Sequence, residues 1–269
     1  MKRYLSWSGG KDSSASIVIC YENRIHLDGV VMSEVMFDHS RGISGEDPEH
    51  IKWVYEVAIP VIENVFGYKV YIVKDNMDYL QEFNAIVSNS KVEHRNGMKR
   101  GFFIAGRCVG NHYLKMRPLN KFFKNIGEHE QIVGIACDEP ERLARLHKKY
   151  TNRRSVLEEF NITEEMTYDI CKKYNLLSPT YQKSSRGGCW FCHNQGIDQL
   201  RHLRKNYPEY WQLLLKWDND SPVTFKPNGI TVHHFDKRFE FEELGLVPTD
   251  KTFRWDMLER DNLQCRILI

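Results

Sequence analysis

What most constrains the fold of this 269-residue chain is how it opens. Lys2–Trp7 (KRYLSW) has the make-up of a short strand, residues 8–13 are rich in serine and glycine, and residues 14–22 (SASIVICYE) form a mostly apolar helical run. A strand that passes through a glycine turn directly into a buried helix needs a sheet around it, and the pattern recurs. Residues 29–37 (GVVMSEVMF), 69–73 (KVYIV) and 131–136 (QIVGIA) read as further buried strands. Helical segments are expected over 48–66, near 77–87 and over 118–124, with Pro60 kinking or breaking the first of them. Residues 161–173 (NITEEMTYDICKK) begin like a helix cap and end with lysines, as a helix dipole favours. Strands alternating with helices predict an α/β fold, a Rossmann-like parallel sheet covered by helices on both faces.

The texture changes after Leu177. Residues 178–188 are polar and contain glycine, GCWFCHNQG follows, and 197–216 read as a helix. Beyond Asp218 the chain is charged and aromatic, with short strands expected near 230–233 and 239–241. The expected division is a nucleotide-binding domain over 1–177 and a mainly irregular or helical C-terminal region over 178–269 that carries the CxxC segment. Trp211, Trp217 and Trp255 read as core or interface residues rather than base-stacking platforms.

With 41% hydrophobic residues the chain can bury a sizeable core, yet it has no apolar run long enough to span a bilayer and no leader-like N-terminus. A cytoplasmic protein with no membrane partner is expected. The formal charge is only +2, from 38 Lys and Arg against 36 Asp and Glu, so any contact with nucleic acid must rest on local patches. Residues 115–124 (KMRPLNKFFK) and 142–154 (RLARLHKKYTNRR) are such patches, or else solvated helix faces. Seven cysteines in such a chain favour buried thiols, a metal site or reactive thiols over a disulfide framework.

The glycine turn carries the sharpest chemistry. Gly9 and Gly10 let the backbone bend so that successive amides face an anion, and the following helix presents its N-terminus to the same place. Ser8, Ser13 and Ser14 add hydroxyl donors, and Lys11 adds a positive charge. Neither GxxxxGK[ST] nor GxGxxG is present, so this is not a Walker or dinucleotide loop.

The SGGKDS sequence resembles the PP-loop of the N-type ATP pyrophosphatases, which include argininosuccinate, GMP and NAD synthetases and tRNA-thiolating enzymes. The resemblance implies an adenine nucleotide alpha hydrolase-like fold that takes ATP with Mg²⁺. Ser8, Gly9, Gly10, Lys11, Asp12, Ser13 and Ser14 would then hold the β and γ phosphates as a pyrophosphate leaving group while the α phosphate is transferred to an acceptor. Asp12, and Asp38 beyond the second strand, would help hold the metal.

Three later segments, in order, resemble the phosphoadenosine phosphosulfate reductase-like branch: Cys108 followed by LKMRP, then GIACDE from Gly134, then GCWFC from Gly188. By that resemblance Lys115, Arg117 and Lys121 line the anionic end of the pocket, Lys115 joining Lys11 and Asp12 as a catalytic residue. Gly134, Asp138, Glu139 and Arg142 would lie at the mouth of the fourth strand. The chain departs from true sulfonucleotide reductases at its end, where Cys265 stands in LQCRILI rather than in a Glu-Cys-Gly-aliphatic-His tail.

Cys189 and Cys192 have a spacing that lets two thiolates reach one metal. The position of Cys108 is similar to that of the cysteine pair that binds a [4Fe-4S] cluster in adenylylsulfate reductases, although Arg107 stands where its neighbour would be. Three cysteines around a [4Fe-4S] cluster, or a Zn²⁺ site completed by His112 or His193, are both open, as is a plain pair of thiols. Cys20, Cys137 and Cys171 read as small core residues. The leading function is adenylation of an acceptor for sulfur transfer, with a nucleic acid as a candidate acceptor and with a sulfur donor or partner protein. The alternatives are a sulfonucleotide reductase and a non-catalytic nucleotide-binding subunit of a modification or defence complex.

Overall fold

The computed structural model describes residues 1–103, 108, 110–182 and 187–258. The backbone forms two compact units, Met1–Glu82 with Arg107–Trp190, and Phe83–Gly106 with Phe191–Ile269. The first unit opens with β1 (Lys2–Trp7), α1 (Lys11–Glu22) and β2 (Gly29–Ser33), then the strands β3 (Met36–Asp38) and β4 (Ile43–Ser44). Next come α2 (Pro48–Trp53), α3 (Ile59–Asn64), β5 (Val70–Val73), α4 (Tyr79–Asn84) and α5 (Arg117–Ile126). It closes with β6 (His129–Val133), α6 (Pro140–Lys149), β7 (Arg153–Arg154), α7 (Val156–Glu159) and α8 (Glu164–Lys173).

The main sheet has the order β5-β2-β1-β6-β7, with every neighbouring pair parallel. The chain builds outward from β1 through β2 to β5, then returns to the other side of β1 for β6 and β7. The order therefore reverses between β1 and β6, which opens a crevice at their carboxyl ends, where open α/β sheets bind ligands. β2 is buried along its whole length, which explains its unbroken apolar sequence. Leu5, Val30, Met32 and Ile132 point into a core shared with Ile17, Val18, Val54, Ile62 and Leu157. Tyr4 and Val31 point to the other face, where they pack with Phe123 of α5.

Several expectations shift. Residues 29–37 form two strands rather than one, because the chain leaves the sheet after Ser33 at a buried carboxylate, Glu34, which takes Lys74 Nζ at 2.9 Å. Pro60 breaks nothing. A π-helical turn, Val54–Ala58, joins α2 to α3 and leaves Pro60 in the first turn of α3, where no amide is needed. The edge strand β7 has too little sequence, two arginines, to announce itself.

The first unit also runs past the expected boundary at Leu177. The Gly188–Trp190 backbone pairs along β4 and its extension: Asp47 N donates to Gly188 O at 3.1 Å and Trp190 N to Gly45 O at 3.1 Å. Trp190 is fully buried, its ring 4.5 Å from that of Phe37.

The second unit is helical, with α9 (Ile197–Asn206), α10 (Pro208–Asp220) and α11 (Val232–Glu243). Pro208 divides the single helix expected over 197–216 by starting a new one. Of the two strands expected near 230–233 and 239–241, the second lies wholly within α11 and the first leads into it, Thr231 being its cap and Val232 and His233 its first residues. Its buried Val232, Phe235 and Phe239 are spaced for one helix face, and Thr231 Oγ1 accepts from His234 N at 3.3 Å as the cap. Trp211 is buried, as expected, and its indole donates to Asp236 at 2.7 Å; Trp217 and Trp255 are half-buried. No helix among the described residues is long and apolar enough to cross a membrane.

Candidate functional site

At the carboxyl end of β1 the chain turns through Ser8, Gly9 and Gly10 into α1, and at the end of β6 it passes through Gly134, directly across the switch point. Gly9 lies at φ +70°, and a Cβ there would fall 2.6 Å from Nε2 of His50. A Cβ on Gly134 would fall 2.5 Å from the amide nitrogen of Ser13. Both glycines are therefore required by close approach, and Gly9 by turn geometry as well.

The loop is held by its own hydroxyls. Ser8 N donates to Ser13 Oγ at 3.2 Å, Ser13 Oγ donates to Gly10 O at 3.0 Å, and Gly10 N donates to Ser8 Oγ at 3.3 Å. Lys11 N donates to the Tyr181 hydroxyl at 2.9 Å. The amides of Gly9, Asp12 and Ser13 have no acceptor among the described residues, and α1 has no side-chain cap. Unpaired amides at the start of a 12-residue helix form a ready anion site.

A cavity of about 260 Å³ opens over these amides. Of the residues expected from sequence, Ser8, Gly9, Gly10, Asp12 and Ser13 line it from the loop, and Lys115, Gly134 and Arg142 line it from elsewhere. Lys115 Nζ pairs with the buried carboxylate of Glu46 at 3.0 Å. Burial alone would lower the Lys115 pKa, but Glu46, with Cys189 and Cys108 contributing, raises it far above the ordinary lysine value. This lysine is a permanent cation facing the loop.

Other expected residues do not line this cavity. Lys11 is buried, and its Nζ binds Asp12 at 2.7 Å and Glu164 of α8 at 2.9 Å. Burial works to lower its pKa, and those two carboxylates outweigh it and raise it. The mobile cation expected there is instead a tether between α1 and α8. Ser14 is fully buried and accepts from the Trp7 indole at 2.9 Å. Asp38 accepts from Ser40 N at 2.9 Å, from its hydroxyl at 2.6 Å and from Arg41 N at 3.3 Å. Burial pushes its pKa up, but those donors more than offset it and hold it below the ordinary value. Arg117 pairs with Asp75, its Nε donating at 2.7 Å, and Asp138 accepts from Glu164 N at 3.0 Å at the start of α8. Glu139 pairs with Arg142, and Lys121 is exposed on α5. Apart from Lys121, each of these side chains is engaged with a partner within the protein.

The site also contains residues that the sequence did not point to. His50 is almost fully buried against Gly9, with Nδ1 2.8 Å from Ser178 Oγ and Nε2 3.3 Å from Ser8 O. Ser8 O can only accept, so Nε2 carries the proton in that contact. Burial is the main cause that lowers the His50 pKa and keeps the ring neutral. Ser178, Thr180 and Tyr181 also line the cavity. Their only trace in the sequence is a polar stretch.

No family model matches this sequence, and no curated protein matches it. Among solved structures, the chain is similar to the U34-tRNA thiolase NcsA from Methanococcus maripaludis with its [4Fe-4S] cluster. The identity is 15%, the match covers 88% of this chain and 80% of that one, and the TM-score is 0.41.

The cysteines are distributed as follows. Cys189 stands opposite Glu46 in an antiparallel bridge, and both it and Cys108 contribute to the field at Lys115. His112 is exposed on the π-helical segment Asn111–Met116, and Cys192 Sγ accepts from Asn194 N at 3.4 Å in the second unit. Among the described residues no group of three or more His, Cys, Asp or Glu side chains is placed to hold a metal ion. His193 is buried, and burial lowers its pKa. Burial pushes the thiols of Cys20 and Cys171 up to about 12, as inert core residues require, whereas Cys137 is half-buried. Arg107 and Cys265 lie outside the described residues.

Proposed function

We propose that this protein is an ATP pyrophosphatase of the PP-loop type that adenylates an acceptor for sulfur transfer. The observation that supports this reading is the placement of the 8–13 loop. It lies at the switch point of a parallel sheet with three amides unpaired, and Lys115 and Arg142 line the same cavity.

The β and γ phosphates of ATP sit on the amides of Gly9, Asp12 and Ser13, where the α1 dipole favours negative charge. The α phosphorus then faces Lys115 and Arg142. An acceptor oxygen attacks it, the new O–P bond forms as the bond to the β-phosphate oxygen breaks, the acceptor proton goes to solvent, and pyrophosphate leaves. Fixed amides and cations stabilise the charge that develops on the leaving group. Mg²⁺ enters with ATP as part of the substrate and adds charge neutralisation to the phosphates. A sulfur nucleophile from a donor then displaces AMP from the acceptor. Glu46 keeps Lys115 in place, and His50 keeps Gly9 and Ser8 in place.

The test is to incubate the protein with Mg²⁺, sulfide, a total RNA fraction and ATP labelled at the α or the γ phosphate. AMP with pyrophosphate supports the proposal, and ADP with phosphate contradicts it. ATP binding without turnover favours the non-catalytic subunit. Lys115→Ala is expected to slow pyrophosphate release about 10²- to 10³-fold, the usual effect of removing one donor to developing charge.

A further inference from the structure

A second cavity, of about 580 Å³, adjoins the first. The two share Gly134 and Arg142, so whatever occupies the second lies beside the phosphate loop. Its wall is basic. Arg142, Arg145 and Lys149 follow one another at helical spacing along α6, and Arg153 joins them from β7.

These cations are poorly compensated. Arg142 pairs with Glu139, and Arg145 Nε donates only to the Glu141 carbonyl, at 3.1 Å. Lys149 and Arg153 have no carboxylate partner among the described residues. Arg153 Nε is buried without a hydrogen-bond acceptor, while its guanidinium lies 3.8 Å over the Tyr150 ring. The Tyr150 phenol registers the same field. Its hydrogen bond with Lys149, and then the charge of Arg153, hold its pKa below the ordinary tyrosine value. Surface lysines and arginines are ordinarily balanced or scattered. Here they surround one hollow that shares Gly134 and Arg142 with the cavity over the loop.

We infer that this groove seats a phosphate group of the acceptor, so that the molecule to be adenylated is phosphorylated, either a nucleotide or the backbone of a nucleic acid. The inference rests on the adenylation reading for what happens next, but the groove's anion binding stands apart from it. Guanidinium forks match phosphate oxygens in pairs, and three arginines and a lysine line this one hollow. With its phosphate held against α6, the acceptor would present an oxygen across Gly134 to the α phosphorus of ATP.

The test uses the full chain and the double variant Arg145→Gln/Lys149→Gln. Both side chains are exposed, and neither lines the nucleotide cavity. The probes are a fluorescent single-stranded RNA of twelve or so nucleotides and free uridine monophosphate, titrated at several salt concentrations, with ATP affinity measured alongside. The expected result is saturable binding of at least one probe to the wild type, weakened about tenfold or more in the variant. If the RNA is the ligand, its slope of log K against log salt should become shallower by about 1.4, because two side chains no longer neutralise phosphates of the single strand. ATP affinity should not change. RNA binding without uridine monophosphate binding assigns a nucleic-acid backbone, and binding of both assigns a nucleotide-sized site. Equal binding by variant and wild type, or no binding of either probe to the wild type, overturns the inference. Loss of RNA binding together with ADP formation would retain the groove and refute the adenylation reading.

Discussion

Gly134 and His50 are where single atoms decide the site. Gly134 packs so closely on Ser13 that Gly134→Ala must displace the first turn of α1. The expected cost is about 1–3 kcal/mol of stability, as for other overpacked positions, with a clear loss of ATP affinity. Thermal unfolding and calorimetric titration with ATP would measure the two effects, and an unchanged ATP affinity would contradict the role assigned to Ser13. His50 gives a pH signature. Its native pKa is lowered by burial, so the unfolded state binds the extra proton first, and its stabilising contribution is full above about pH 6.5. That contribution is lost as pH falls from there towards the lowered native value. The unfolding midpoint should therefore decline over this acid range, and less steeply in His50→Gln. Gly9 and Gly10 were legible in the sequence as a glycine turn and Gly134 only through the family resemblance, whereas His50 and Tyr181 were not legible. Their partners lie 42 and 170 positions away, and nothing local marks a histidine that rests on a glycine.

Among the elements, the strand that was easiest to read is the one buried on both faces. β2 is buried at every position and carries an apolar run that only a covered parallel sheet can accommodate, whereas β1, β5 and β6 are partly exposed, and β1 and β6 mix polar with apolar residues. Short runs failed where period could not be judged. Val232 and Phe239 look like parts of separate strand fragments when read alone, and with Phe235 they form one helix face. The start of α8 shows a second kind of misreading. Thr163 caps Met166 N at 3.3 Å and Asp138 caps Glu164 N, so the acid expected near the nucleotide instead holds a helix end. Thr163→Ala is expected to cost about 1 kcal/mol in denaturant unfolding. Asp138→Ala should likewise lower stability without weakening ATP binding. A large loss of ATP affinity in Asp138→Ala with stability intact would return that residue to the nucleotide site.

At the scale of the molecule, the first unit contains the sheet, the loop, the cavity and the basic groove, and the second contributes a helical body with its own aromatic core around Phe235, Phe239 and Trp211. The claim on which the account depends is the orientation of ATP in the first unit. The most direct measurement is a crystal structure with Mg²⁺ and α,β-methylene ATP, which cannot be cleaved at the bond in question. The account predicts β- and γ-phosphate oxygens about 2.7–3.2 Å from the amides of Gly9, Asp12 and Ser13, with the α phosphorus towards Lys115. A triphosphate bound elsewhere, or one with its γ phosphate at Lys115 and its α phosphate on the loop, would contradict it.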